Sequence, residues 1–324
     1  MDYYFAPMEG VTTYIFRREH ARLFPGCRKY YAPFITACQP GGLKASQLRD
    51  VLPENNEGAA LVPQLLSNDA PSFLRALSQL RELGWGEVNL NLGCPSGTVA
   101  SKKRGSGFLS VPDELDAFLG EVFSGAENVS VKTRAGFADA GEFWRLLDIF
   151  GKYPISELIV HPRVRTDFYN NAPDMTAFAA AYGHGAGRLC YNGDLFRAED
   201  CASLSRKFPA LPAAMLGRGA VANPALLRQA GGGAPLSAAE LREFHGALLE
   251  SYLEVYSGGG NVLQRMKELW YYWACMFPGG EREVRRIYKT RLLCDYVSAA
   301  EALFRDVPMD PAAGFGGQKN SPAF

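Results

Sequence analysis

No two cysteines in this chain form a CxxC pair, and their total of seven (27, 38, 94, 190, 201, 275 and 294) is odd and irregularly spaced. That excludes the common zinc-ribbon patterns and a regular disulfide framework, and it fits reduced thiols in a cytoplasmic protein. No apolar run reaches the roughly 18–20 residues of a membrane span. The opening residues Met1-Asp2-Tyr3-Tyr4-Phe5 carry no basic stretch leading into an apolar one, so no signal peptide is expected. Net charge is lacking too: 34 basic side chains balance 34 acidic ones, so any attraction for a polyanion must be local. With 324 residues, 47% hydrophobic, the chain needs neither metal nor disulfide to build a core, and a metal-free monomer is expected.

What is present is alternation. β-prone runs at Tyr3–Pro7, Lys29–Phe34, Leu61–Leu65, Glu87–Leu92, Val129–Thr133, Leu158–His161, Arg188–Tyr191 and Ala213–Leu216 are separated by helical patterns. The helix over Asn68–Leu83 repeats leucine at 74, 77, 80 and 83; Pro112–Phe123 and Glu142–Phe150 behave similarly. Several strands are apolar nearly throughout, as parallel strands covered on both faces are. Eight such units predict an α/β fold, a (β/α)8 TIM barrel over residues 1–230, with a doubly wound open sheet as the competing topology. A Gly/Pro linker follows at 231–237. Ser237 and Glu240 then form a capping box opening a small all-helical bundle at 238–308, with helices at Ala238–Tyr256, Val262–Phe277, Arg282–Lys289 and Val297–Phe304. The Gly/Pro-rich residues 309–324 are expected to be disordered.

A barrel of this kind carries its chemistry at the C-terminal ends of its strands. Those ends here read Ala6-Pro7-Met8-Glu9-Gly10, Gln64, Asn91-Leu92-Gly93-Cys94-Pro95, Lys132-Thr133-Arg134, His161-Pro162-Arg163, Asn192-Gly193-Asp194 and Gly217-Arg218-Gly219. Singly, the last two are ordinary turn sequences. Together, at the ends of strands seven and eight, they make a phosphate site in which glycines admit close approach and Arg218 adds a charged contact. Lys132 can balance negative charge on a reduced flavin ring, with His161 beside it, and the Gln64 amide can serve the ring's polar edge. Cys94, between a glycine and a proline at a strand end, is a thiol able to hold and deliver a proton near neutral pH. The segment after it, Ser96–Gly107, contains Lys102, Lys103 and Arg104 and has the composition of a lid.

At these residues the sequence resembles the tRNA-dihydrouridine synthase family, along essentially its whole length. The motifs that carry the likeness are Ala6-Pro7-Met8-Glu9-Gly10-Val11-Thr12, Asn89-Leu90-Asn91-Leu92-Gly93-Cys94-Pro95, Val131-Lys132-Thr133-Arg134, Asn192-Gly193-Asp194 and Gly217-Arg218-Gly219-Ala220. The resemblance implies bound FMN, NADPH as electron donor, and reduction of a uridine in RNA, most often tRNA, to 5,6-dihydrouridine. Carried over, Pro7, Met8, Glu9, Gln64, Lys132, His161, Asn192, Gly193, Asp194, Gly217 and Arg218 would hold FMN. Asn91 would bond the uracil edge, and Cys94 would protonate C5 as hydride passes from flavin N5 to C6. The sixth loop departs from the family's common His-Gly-Arg-Thr, reading His161-Pro162-Arg163-Val164-Arg165, so either Arg163 or Arg165 is expected to meet RNA.

RNA contacts are further expected from Lys102, Lys103 and Arg104 in the lid and from Arg265 and Lys267 in the helical region. Between Asn261 and Arg291, seven basic residues (265, 267, 282, 285, 286, 289 and 291) face three acidic ones (268, 281 and 283). Such a basic surface suits phosphate contacts. The aromatic run Trp270-Tyr271-Tyr272-Trp273 cannot face one way on a helix and reads mostly as core. Two other readings share much of this pattern: a barrel flavoenzyme acting on a small pyrimidine, and the same chemistry on ribosomal RNA. A noncatalytic RNA-binding barrel would have no use for Cys94 and Lys132 together.

Overall fold

A computed structural model describes residues 1–39, 41–185 and 188–316. Ten parallel strands form one sheet: β1 (Asp2–Phe5), β2 (Lys29–Tyr31), β3 (Ile35–Thr36), β4 (Leu61–Val62), β5 (Gln64–Leu66), β6 (Val88–Leu92), β7 (Val129–Gly136), β8 (Leu158–Val164), β9 (Leu189–Asn192) and β10 (Ala213–Leu216). β1 pairs with β10 on one side and β2 on the other, so the first and last strands of the chain are neighbours, and the order closes into a ring because its ends, β3 and β4, continue the lines of β2 and β5 along the chain. The ring has eight staves because two are broken: β2 and β3 form one, and β4 and β5, separated by Pro63, form the next. Proline cannot donate to a ladder, so the continuous strands expected at Lys29–Phe34 and Leu61–Leu65 each divide around one. The architecture is a TIM barrel.

Two strands run further than their sequence patterns predict. β7 continues from Thr133 to Gly136 and β8 from His161 to Val164, pairing across an irregularity between Arg134 and Gly136. The barrel interior holds Tyr4, Ala6, Tyr31, Val62, Ile159, Cys190, Ala213 and Met215. At its N-terminal end the buried Glu157 carboxylate accepts from Tyr4, Tyr31, Lys29 and Arg188, a fully partnered plug.

Around the sheet lie α1 (Tyr14–Leu23), α2 (Ala70–Glu82), α3 (Pro112–Phe123), α4 (Phe143–Phe150), α5 (Met175–His184), α6 (Ala198–Lys207) and the short α7 (Arg218–Ala222). Then follow α8 (Ala238–Val255), α9 (Gly259–Trp273), α10 (Glu281–Lys289) and α11 (Leu293–Asp306). The capping box forms as expected, with the Glu240 N–H on Ser237 Oγ and the Ser237 N–H on the Glu240 carboxylate. Trp270 and Trp273 are fully buried.

The helical region is not a separate body. Phe244 of α8 packs edge-on against Phe16 of α1 and Phe24 just after it, and the Trp273 indole N–H donates to the Val221 carbonyl of α7. One continuous apolar core runs through barrel and bundle. The expected disorder from residue 309 is corrected for 309–316. Phe315 is 1% exposed there, because its ring is buried among Phe196, Tyr271 and Tyr272. Residues 317–324 lie outside the described residues.

Candidate active site

The C-terminal ends of the strands surround a cleft of about 220 Å³. It is lined by Pro7, Met8, Glu9, Gln64, Asn91, Cys94, Lys132, His161, Asn192, Gly193, Asp194, Gly217 and Arg218, so every sequence-predicted cofactor residue and the candidate thiol meet in one place. Arg134 and Tyr169 also line it and were not among the candidates.

A chain of amides shapes the thiol's side. Asn89 donates to Ser130 Oγ, Gln64 to Asn89 Oδ1, and Asn91 to Gln64 Oε1, at 2.9, 2.8 and 2.7 Å. Asn91 Oδ1 then accepts the backbone N–H groups of Gly93 and Cys94 at 3.0 and 2.9 Å. Asn89 and Asn91 are two apart on β6 and so share its inward face. The Gln64 amide keeps one N–H and one lone pair for a ligand. Behind Cys94 the segment 96–107 is tied to the cysteine loop, since both the N–H and the hydroxyl of Ser106 donate to the Cys94 carbonyl. Arg104 reaches Asn68, and Lys103 pairs with Glu114, while Lys102 stays exposed.

Burial pushes the Cys94 thiol up from its ordinary value, and Glu9 adds to this, against the opposing pull of Ser96, Arg134 and Lys132. The group is therefore a protonated thiol at neutral pH, able to give a proton. Burial likewise raises the Glu9 carboxyl, with Asp50 adding to it and Arg265 opposing.

Lys132 is the counterpart. Burial and the neighbouring Arg134 pull its ammonium down to about 8. It makes no hydrogen bond or ion pair among the described residues. A cation held without a partner in a cleft fits an electron-rich ligand atom. Arg134, two residues on along β7, is 1% exposed and donates to the carbonyls of Gly93, Val164 and Phe168. It ties the cysteine loop to the end of β8.

At the phosphate corner, Asp194 is held by Arg163 through both carboxylate oxygens and by Arg218 Nη2 at 2.6 Å. Asp194 therefore sets the two arginines in place and would not itself face an anion. The Arg163 side chain is 1% exposed, which corrects its expected role in RNA contact. The reason is the longer β8: Arg163 is two residues past His161 and shares its inward face. Its Nη1 lies 3.0 Å from His161 Nε2. A guanidinium can only donate, so Nε2 is the acceptor and the ring proton sits on Nδ1. Burial, Arg134, Lys132, Arg163 and Arg218 hold His161 well below its ordinary value, so it is neutral.

Close backbone approach explains two glycines here. A Cβ at Gly193 would sit 2.1 Å from the Tyr191 hydroxyl, and one at Gly219 would sit 2.2 Å from the Leu195 carbonyl. Asn192 Nδ2 donates to the Met215 carbonyl and locks β9 to β10. In and under the cleft, Lys132, Arg134, Arg163 and Arg218 face Glu9 and Asp194, an excess of two positive charges.

Two further expectations change. Lys267 Nζ donates to the carbonyls of Tyr288 and Thr290 at 2.9 and 2.5 Å, closing the end of α10, so it is a structural contact and not a free phosphate ligand. Arg265 donates to the Gly10 carbonyl and pairs with Glu268, docking α9 on the loop that carries Glu9. Arg165 is half-buried, with its guanidinium over Phe137 and Phe168. Arg282, Arg285, Arg286, Lys289 and Arg291 remain exposed.

The model of the dihydrouridine synthase family matches residues 4–286. The chain belongs to that family. A probable tRNA-dihydrouridine synthase of Staphylococcus aureus (strain COL) is 30% identical over 168 residues, covering 50% of this chain and 49% of that protein. The probable tRNA-dihydrouridine synthase 2 of Bacillus subtilis (strain 168) is 26% identical over 229 residues, 68% of this chain and 69% of that protein. The chain thus spans about half the length of the Staphylococcus relatives it matches. Among solved structures, morphinone reductase superposes with a TM-score of 0.51 at 13% identity, over 74% of this chain and 88% of that one. The old yellow enzyme homologue from Zymomonas mobilis does so with 0.51 at 13%, over 73% and 89%. These two likenesses bear on the barrel fold alone.

Proposed function

We propose that this protein reduces a uridine in RNA, with tRNA as the substrate class, to 5,6-dihydrouridine, using bound FMN and NADPH as electron source. The observation that carries this reading is the pairing, in one cleft, of a protonated thiol fixed by Asn91 and an enclosed lysine without a partner. The residues present fit FMN. Lys132 would meet the electron-rich edge of the ring and Gln64 its polar edge, while Arg218 and the glycines at 193, 217 and 219 would take the phosphate. At that corner Arg163 and Arg218 against Asp194 leave one positive charge to face the phosphate. Bound and reduced, the flavin supplies hydride to C6 of the uracil ring.

The chain's own part is to bind, orient and protonate. Cys94 holds the proton that goes to C5, and its raised pKa keeps that proton in place until it is needed. Asn91 fixes the cysteine loop from inside the barrel, and Arg134 fixes it from the side of β8. The target nucleotide must leave its stack to enter a cleft at the barrel mouth. The exposed arginines and lysine of α10 and its following turn supply a basic surface for the phosphates of the RNA.

The test is reconstitution: the full chain with FMN, NADPH and unmodified tRNA transcript, read by mass spectrometry of nucleosides. Dihydrouridine at a defined position is the expected product. A chain that binds FMN but leaves every uridine intact, in tRNA and in ribosomal RNA, would refute the reading.

A further inference from the structure

The last described residues return to the phosphate corner of the cleft. The Asp310 N–H donates to the Met276 carbonyl at 2.8 Å, and a turn follows in which the N–H groups of Ala312 and Ala313 both bond back to Asp310. In the stretch Asp310-Pro311-Ala312-Ala313-Gly314-Phe315-Gly316, Phe315 is the one large side chain, and it is buried. Its ring centroid lies 5.7 Å from Phe196, which follows β9, and 5.7 and 5.5 Å from Tyr271 and Tyr272 of α9.

Phe196 and Phe315 form part of a box around one guanidinium. The Arg218 group lies 4.4 Å from the Tyr169 ring, 5.2 Å from Phe196 and 5.9 Å from Phe315. Its one described polar partner is Asp194. Three chain segments remote in sequence (the loop after β8, the loop after β9 and the C-terminal stretch) thus converge on Arg218. A free arginine loses rotamer entropy when it grips an anion; one already boxed by aromatic faces has met that cost before the ligand arrives.

We propose that residues 310–316 are a strap that holds Arg218 ready for the flavin phosphate, with Phe315 as the positioning residue. The proposal rests on the flavin reading above. A role through the phosphate also differs in its signature from a general role in holding α9 against the barrel, because riboflavin shares the ring system of FMN and lacks the phosphate.

The experiment titrates the full chain with FMN and with riboflavin, following quenching of flavin fluorescence. Phe315→Ala is expected to weaken FMN binding by about 10-fold, the scale of one desolvated cation–π contact, and to leave riboflavin binding unchanged. Phe315→Leu, which keeps apolar bulk without a π face, is expected to act in the same direction and covers the case in which the alanine variant fails to fold. In an Arg218→Ala background, Phe315→Ala should cause no additional loss. Equal losses for FMN and riboflavin would overturn the proposal, since Phe315 would then support the cleft as a whole. Unchanged FMN affinity in both Phe315 variants would overturn it as well. Wild-type protein that binds neither flavin would sink the flavin reading itself, a result visible before any variant is made.

Discussion

The side-chain oxygen of Asn91 accepts the backbone N–H of Cys94 at 2.9 Å, so the residue three places before the thiol sets the conformation of the loop that carries it. The same oxygen takes the Gly93 N–H, and one of the two amide N–H groups goes to Gln64. Asn91 can therefore act on the reaction through Cys94 as well as through any contact with a base. Asn91→Ala is expected to lower kcat more than it raises KM, by about 10- to 100-fold, because a displaced acid costs turnover without removing the binding surface. Measuring both constants checks this. A change confined to KM would leave Asn91 with a substrate contact only.

Cys94 itself is expected to matter only for the chemical step. Cys94→Ala should retain bound FMN, seen by its absorbance, and lose turnover by ~10²–10⁴-fold. The thiol's pKa is raised, so the acid form is present through neutral pH and is lost only as pH climbs past its displaced value. Activity should therefore fall on the alkaline side, with Lys132, at about 8, contributing to the same limb. A pH–rate profile that rises through pH 9 would contradict both assignments.

Lys132 also bears on the stability of the flavin-free protein. Its folded-state pKa lies below the unfolded value, so between about 8 and 10.5 the unfolded chain binds more protons and stability contributed by this group rises with pH. Below about 8 the buried charge is a full burden, on the order of 1–3 kcal/mol. Lys132→Met should then raise the melting temperature of the flavin-free protein by a few degrees (on the order of 2–4 °C per kcal/mol for a chain approaching this size) while weakening flavin binding. Calorimetry at pH 7 with and without FMN distinguishes this from a lysine that stabilises the empty cleft.

Much of this site is legible in the sequence because strand ends advertise themselves: an apolar run stops and glycine, proline and polar residues follow. Pro7, Cys94, Asn192 and Gly217 all stand at such ends. The positions this pattern does not reveal depend on strand length. With β7 ending at Thr133, Arg134 reads as a loop residue; with β7 running to Gly136, it shares the inward face with Lys132. The same shift moves Arg163 from a surface loop to a partner of Asp194. Two-residue alternation carried past the apolar stretch would have found both. Phe315 and Tyr169 gave no such signal, since their roles depend on segments that meet only in the folded chain.

Arg163 provides a direct test of that correction. Arg163→Met removes a buried cation from Asp194 and leaves Arg218 to carry the phosphate corner alone. FMN affinity is expected to drop by about 10-fold or more, the scale of a truncated buried charge pair, while the affinity of the flavin-loaded protein for tRNA stays within twofold or so. Filter binding of tRNA and fluorescence titration of FMN read the two separately. A selective loss of RNA affinity would restore the surface role.

The exposed face of α10 is the place to test RNA binding, and truncation is not. Cutting the chain after Gly231 would strip Phe244 from Phe16 and Phe24 and Trp273 from Val221, exposing a core shared by barrel and bundle. The shortened chain should aggregate or melt without a cooperative transition, because losing several buried aromatics at ~3–5 kcal/mol each exceeds the stability of an ordinary domain. Arg282→Glu with Arg286→Glu changes only exposed side chains, and the buried Val284 and Ile287 still anchor the helix. That double variant should keep its melting temperature and FMN while losing tRNA affinity by about 10-fold or more at low salt, with a shallower salt dependence, since fewer counterions are released on binding. Unchanged affinity and salt slope would move the RNA-binding surface elsewhere, with the exposed Lys102, in the segment that follows Cys94, the next residue to test.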